Sequence, residues 1–135
     1  MSIKIIGDKE FIKSVDLIAK TEPKKLDAAL ARMAFATDKD AKMSIQGSPA
    51  TGRAYKRRSI THIASSPGNA PRTDTGQLVR NITVKRDGFL NYTVGSRKGA
   101  PHGFWLEFGT RFIAKRPWLT PAYNKVIGKF KEYFR

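Results

Sequence analysis

Asp74 and Glu107 are two of only four carboxylates after position 40 (the others are Asp87 and Glu132), set among eighteen Lys and Arg. Carboxylates that scarce in a basic setting have specific partners. Two such groups can serve as a general acid and a general base, and His62 and His102 supply the only two imidazoles of the chain. The surroundings argue against that chemistry. The histidines stand forty residues apart in polar stretches and match no metal-ligand spacing, so the sequence predicts solvated loop histidines. With no cysteine there is no thiolate nucleophile, thiolate metal site or disulfide. Neither a phosphate-binding glycine loop nor a nucleophile elbow is present. Asp74 reads better as the cap of a turn, with Gln77 reaching back as in a capping box. Glu107 reads as the ion-pair partner of Arg111 or Arg116. No catalytic residue, metal or cofactor is expected.

Binding chemistry is better represented. Arg53, Lys56, Arg57 and Arg58 cluster around Tyr55, a weak form of the basic-plus-aromatic pattern that holds single-stranded nucleic acid. Arg97, Lys98 and Lys115 are further candidate contacts with a partner or with DNA. The formal charge of +15 is uneven: residues 1–40 carry eight bases and seven acids, and the remainder eighteen and four. The basic surface therefore belongs to the second part of the chain. Nucleic acid, an anionic surface or acidic protein neighbours would all suit it, and charge alone does not choose. Trp105 and Trp118 are candidate interface anchors, while Phe108 reads as core.

The elements that must position these residues follow from periodicity and punctuation. Ile3, Ile5 and Ile6 mark a short segment ending at Gly7, and Asp8 caps a first helix with Phe11, Ile12, Val15 and Ile18 on one face. Pro23 suits the first turn of a second helix. That helix runs to about Ile45 with an apolar stripe of Leu26, Leu30, Met33, Thr37, Ala41 and Ile45. From Gly47 to Thr75 the composition turns to Gly, Ser, Pro, Thr and Asn, and the stretch reads as an extended basic arm. Ser59–Ala64 is a short strand or helical turn within it. Ile82 and Val84, the turn signal Asp87-Gly88, and Leu90, Tyr92 and Val94 predict a β-hairpin. Phe104–Phe108 is a strand or helical turn closed by Gly109, and Arg111–Ala114 a last strand. Thr120 caps a C-terminal helix with Pro121 at its first position and Ala122, Val126, Phe130, Tyr133 and Phe134 on its apolar face.

At 135 residues the chain suits one domain that buries roughly two thirds of its unfolded surface. An apolar fraction of 40% with fourteen aromatics supplies a core. No apolar run approaches the roughly 20 residues of a spanning helix. Met1–Lys9 lacks the apolar stretch and cleavage site of a signal peptide. A soluble protein made in a cytoplasm, with no membrane partner, is the expectation.

Two blocks also carry a resemblance. Ala64-Ser65-Ser66-Pro67-Gly68-Asn69-Ala70-Pro71 followed by Asp74-Thr75-Gly76-Gln77-Leu78 and Ile82 resembles the central signature of the tail-completion proteins of long-tailed bacteriophages, the minor head–tail joining or tail-component family. Val94-Gly95, then Trp105-Leu106-Glu107-Phe108-Gly109-Thr110, then Arg116-Pro117-Trp118-Leu119-Thr120-Pro121-Ala122 follow that family's order. The resemblance covers roughly residues 20 to 135. His102-Gly103-Phe104 departs from it, standing where the family often has a Tyr-Ala pair, and the last helix is short.

The resemblance implies an α+β fold, in which a small, mostly antiparallel β-sheet packs against the long helix and a C-terminal helix, with a long basic loop. It implies one domain over 1–135, divided into a helical part (1–46), an extended basic loop (47–75), and the sheet with the C-terminal helix (76–135). Asp74, Thr75, Gly76, Glu107, Phe108, Gly109, Thr110, Arg116 and Pro117 would be its structural motif residues. It further implies a hexameric ring in the virion at the tail–head junction, assembled in the host cytoplasm. The ring would stack between the tail tube protein and the head-side connector or stopper protein, with DNA passing through the lumen. Such a ring needs two complementary faces on one subunit, which the arm could supply. The reading is a non-enzymatic virion structural protein that completes the tail; the alternative is a stand-alone basic nucleic-acid-binding protein.

Overall fold

The computed structural model describes residues 9–97 and 100–134. The segment around Ile3, Ile5 and Ile6, the Asp8 cap and Lys98 lie outside the described residues, as do the side chains of Phe11, Ile12 and Arg57. Helix α1 (Lys9–Thr21) ends where the Thr21 hydroxyl donates to the Leu17 carbonyl at 2.9 Å. Helix α2 (Pro23–Gln46) follows at once, with proline in its first turn, where a missing N–H leaves nothing unpaired. It buries Leu26, Ala29, Met33, Ala34, Thr37, Ala41 and Ile45, the stripe that helical spacing predicts except that Leu30 is only half-buried and Ala29 and Ala34 join it. The one polar member, Thr37, returns its hydroxyl to the Met33 carbonyl at 2.9 Å.

The stretch after α2 departs from an extended loop. Strands β1 (Ala54–Arg57) and β2 (Ile60–Ile63) form an antiparallel hairpin with Tyr55 opposite His62. Its two-residue turn places Arg58 in the left-handed region, at φ 57°. The flanks are fastened to the chain itself. Ser48 donates its hydroxyl to the Ala70 carbonyl, Arg72 reaches the Ile63 carbonyl at 2.8 Å, and the Gly68 amide donates to the Lys115 carbonyl at 3.0 Å.

A short helix, α3 (Gln77–Asn81), leads into a second antiparallel hairpin, β3 (Ile82–Gly88) and β4 (Asn91–Ser96). Its reversal falls at Phe89 and Leu90, with Leu90 at φ 60°. The expected turn at Asp87-Gly88 is displaced because Asp27 on α2 takes hold of the tip. Its carboxylate accepts the Leu90 amide at 2.8 Å and the Tyr92 hydroxyl at 3.1 Å.

Helix α4 (His102–Phe108) resolves the aromatic segment as helix. The strand expected around Arg111–Ala114 is instead a tight turn, in which the Thr110 amide donates to the Ile113 carbonyl at 2.8 Å. The C-terminal helix is two pieces, α5 (Thr120–Ile127) and α6 (Phe130–Tyr133), broken after Gly128. Helix α2 packs against β3, β4, α5 and α6. A buried cluster of Ala41, Ile45, Leu78, Ile82, Ala100, Trp118, Leu119 and Ala122 joins α2 and α3 to the start of α5. The fold is α+β, with two small antiparallel sheets, of which the β3–β4 sheet packs against the long helix α2, itself packed on the C-terminal helical region.

Candidate functional site

The residues that carry the second-half resemblance converge on the joint between α4 and α5. Glu107, on the last turn of α4, is buried at 4% exposure. One carboxylate oxygen accepts the Trp118 and Leu119 amides at 2.7 and 2.9 Å. The other accepts the Thr120 amide at 2.8 Å and also the Thr120 hydroxyl. A helix start leaves its first amides without intrahelical acceptors, and no residue at the start of α5 caps it through its own side chain. Glu107 supplies that cap from another helix, with its charge at the positive end of the dipole.

This corrects the ion pair expected between Glu107 and Arg111 or Arg116. A buried carboxylate gains more from four aligned donors than from an exposed guanidinium across the loop. Arg116 instead donates from Nε to the Ser65 carbonyl at 3.1 Å, joining the 109–117 loop to the segment after β2. Arg111 lies over the Phe112 ring at 5.5 Å.

Trp118 is core, not an exposed anchor: it is 1% exposed and its indole N–H donates to the Gly103 carbonyl at 2.8 Å. Gly103 permits that approach, since a Cβ there would lie 2.8 Å from Leu78 and 3.2 Å from the indole. Gly109 ends α4 at φ 74°. Thr110 then closes a turn by accepting the Phe112 and Ile113 amides on its hydroxyl at 3.2 and 3.0 Å. The chain returns to α4 through the Arg116 amide, which donates to the Leu106 carbonyl at 2.6 Å. Pro117 is half-buried beside the cap.

The other side of this joint is apolar and uncovered. Phe104, Trp105 and Phe108 on α4 are 52%, 47% and 57% exposed, and Phe112 on the turn is 88% exposed. Phe104 and Phe108, one helical turn apart, hold their ring centroids 5.0 Å from each other. Phe108, expected in the core, is on this outer face because Glu107 takes the inward position. Large apolar side chains grouped this way on a surface mark a docking site or another functional contact.

The first-half motif has a different setting. Asp74 does not form a capping box. Gly76, at φ 77°, precedes the first turn of α3, and the Gln77 amide donates to the Thr75 hydroxyl at 3.3 Å. The Asp74 carboxylate instead lies 3.7 Å from His62 Nδ1 and accepts the Tyr55 hydroxyl at 3.3 Å. His62 is buried on β2, with its ring 5.1 Å from that of Tyr55. His102 begins α4. Both imidazoles, placed by sequence in loops, line one cleft of about 540 Å³ together with Asp74, Arg53, Arg72 and Arg116. Among the described residues no three His, Cys, Asp or Glu side chains form a metal-binding group.

The remaining basic candidates are dispersed. Arg53, Lys56 and Arg58 are exposed on the first hairpin, and Arg57 follows Lys56 in β1. Lys115 is exposed on the 109–117 loop, and Arg97 is exposed just after β4 with its amide donating to the Asn81 carbonyl at 2.8 Å. The exposed Phe104 and Phe112 and the tether Asp27 were not singled out by sequence. The Phe112 signal was its position two residues after a Gly-Thr turn. Among the described residues no helix is long and apolar enough to cross a membrane.

Residues 9–109 match the model of a family described as "Bacteriophage HK97-gp10, putative tail-component". No curated protein and no solved structure matches the chain.

Proposed function

The chain belongs to the HK97-gp10-like family of bacteriophage tail components, and on that premise we propose that it is a non-enzymatic virion protein that completes the tail as a ring. In this reading the ring stacks on the tail tube protein, receives the head-side connector or stopper protein, and lets DNA pass through its lumen. It acts at the tail–head junction of the virion after assembly in the host cytoplasm.

The observation that carries the reading is the uncovered aromatic face of α4 and its turn, held in place by the buried Glu107 cap. A preorganised apolar surface lowers the ordering cost of association. Gly109, Thr110, Arg116 and Pro117 act as scaffold beside that surface, and Asp74, Thr75 and Gly76 as scaffold at the start of α3. A strongly positive lumen would retain DNA through its phosphates, so much of the basic surface belongs at protein contacts.

The test is electron microscopy of a lysate from the parent phage with this gene deleted. DNA-filled heads beside unattached or abnormally long tails support tail completion. Normal infectious particles overturn it.

One feature favours the second reading, a stand-alone nucleic-acid binder: the first hairpin presents Arg53, Lys56 and Arg58 around Tyr55, which is 45% exposed. Its mark would be DNA affinity of the isolated protein falling by roughly 0.9 log units per log salt for each phosphate neutralised. A flat salt response excludes it.

A further inference from the structure

A second surface is apolar and bordered by acid, the counterpart of the arginine-flanked aromatic turn. A groove of about 460 Å³ runs between α2, the β3–β4 hairpin and α5, with Leu30, Met33, Leu90, Leu119 and Val126 in its walls. Tyr123 also lines it, and its hydroxyl is buried without a hydrogen-bond partner among the described residues. The 110–113 turn contributes nothing to this groove. One chain therefore carries a projecting aromatic and an apolar recess on separate elements.

We propose that Phe112 of one copy seats in this groove of the next, a head-to-tail contact between identical chains. The proposal rests on the ring reading above and names the two surfaces that would close the ring. A heterologous contact of this kind propagates by rotation and forms a closed ring when the rotation divides the circle.

Three observations select a second copy as the occupant. Phe112 is 88% exposed on a turn whose backbone is held by the Thr110 hydroxyl, which accepts both its amide and that of Ile113. Arg111 stacks on the Phe112 ring and has no acidic partner among the described residues. The groove, in turn, is bordered by Asp87, and by Asp27 where it holds Leu90 and Tyr92. Asp27 is engaged by the Leu90 amide, the Tyr92 hydroxyl and Arg86, and Asp87 by the Thr93 hydroxyl and Lys85, but both cations are exposed and each lies 3.4 Å away. For a chain of net charge +15, most approaches between copies bring like charges together. The acid-bordered groove is where an arginine-flanked ring can approach with attraction.

The natural absence of cysteine gives a direct test. Ala114→Cys and Asn91→Cys, at the exposed end of the turn and at the groove's exposed rim, are combined in one chain and treated with a short thiol cross-linker, leaving Arg111 and Phe112 intact. Native mass spectrometry of the same sample, untreated, reads assembly independently. The expected result is a ladder of cross-linked species beyond the dimer from the double variant, while each single variant stops at the dimer or below. Adding Phe112→Ser, a change on an exposed side chain, should abolish the ladder and weaken self-association about 30-fold, the scale of one interface hot spot. Oligomers larger than dimers with no ladder, and unaffected by Phe112→Ser, would overturn this docking and leave the ring standing with another occupant in the groove. Monomers at every concentration, with no ladder, would overturn both.

Discussion

Glu107 and Thr120, thirteen residues apart, are joined twice through one carboxylate oxygen, which accepts both the Thr120 amide and its hydroxyl. The other oxygen serves the buried Trp118 and Leu119 amides. Helix α5 thus takes its start from a residue of α4, and the turn between them is closed at both ends.

Replacing Glu107 by Ala strands two buried amides at once. The expected loss is about 3–5 kcal/mol, given a cost of roughly 1–3 kcal/mol for each unsatisfied buried group. Glu107→Gln keeps one acceptor and should fall between. Urea midpoints of the three proteins measure this; a midpoint unchanged in Glu107→Ala would remove the cap from the account.

Two glycines with left-handed backbones should respond differently to alanine. At Gly109 a Cβ would lie 3.1 Å from the Ile113 carbonyl and from Lys115, whereas at Gly68 it meets nothing within 4 Å. Both substitutions incur backbone strain of roughly 1–3 kcal/mol, the greater at Gly109, whose φ 74° and ψ 167° essentially only glycine adopts, and only Gly109→Ala adds crowding. Thermal melts should rank Gly109→Ala clearly below Gly68→Ala, and equal melting temperatures would refute the ranking.

Asp27 predicts an acid limb. The Leu90 amide, followed by the Tyr92 hydroxyl and the Arg86 charge, holds its carboxyl below the usual range despite some desolvation. A folded-state value below the unfolded one means the unfolded chain takes up the proton first as pH falls. The stabilisation is therefore full above about pH 4 and is lost as pH drops through the folded value. Asp27→Asn should flatten the dependence of the urea midpoint on pH in that acid window. Asp87, depressed chiefly by the Thr93 hydroxyl, will keep a residual slope. An identical pH profile for Asp27→Asn and the parent would contradict the tether.

The two tryptophans should separate folding from assembly. Trp118→Ala empties the core and should cost about 3–5 kcal/mol. Trp105→Ala, at a position 47% exposed, should change stability by under about 1 kcal/mol and act on self-association or tail joining instead. Denaturant midpoints beside native mass spectra distinguish these; a large stability loss in Trp105→Ala would place it in the core.

The elements written in local periodicity were legible: the α2 stripe from Leu26 to Ile45, the alternation of β3 and β4, and the proline-led start of α5. Those set by distant contacts were not. The first hairpin has four-residue strands amid basic and polar residues, and short pairs of that kind leave little pattern. The hairpin tip moved to Leu90 because of Asp27, sixty-three residues earlier. Glu107 was correctly singled out as a carboxylate with a specific partner, but sequence displays side-chain charges and hides helix-end amides, so arginine was assigned in their place. Trp105 and Trp118 are the same residue type with opposite burial, a difference set by how α4 lies on α5. The aromatic face became visible only when α4 was seen to turn Glu107 inward and Phe104 and Phe108 outward.

The bond from Asp27 to Leu90 also bears on synthesis. Helix α2 is complete at Gln46, but β3, β4, α5 and α6, which pack against it, all begin at residue 82 or later. While the ribosome is still making them, the apolar stripe of α2 emerges with those partners missing. Contacts this distant in sequence form late, and exposed stripes of neighbouring nascent chains can associate wrongly. Until residues 82–133 are delivered, α2 carries its apolar stripe without the elements that cover it.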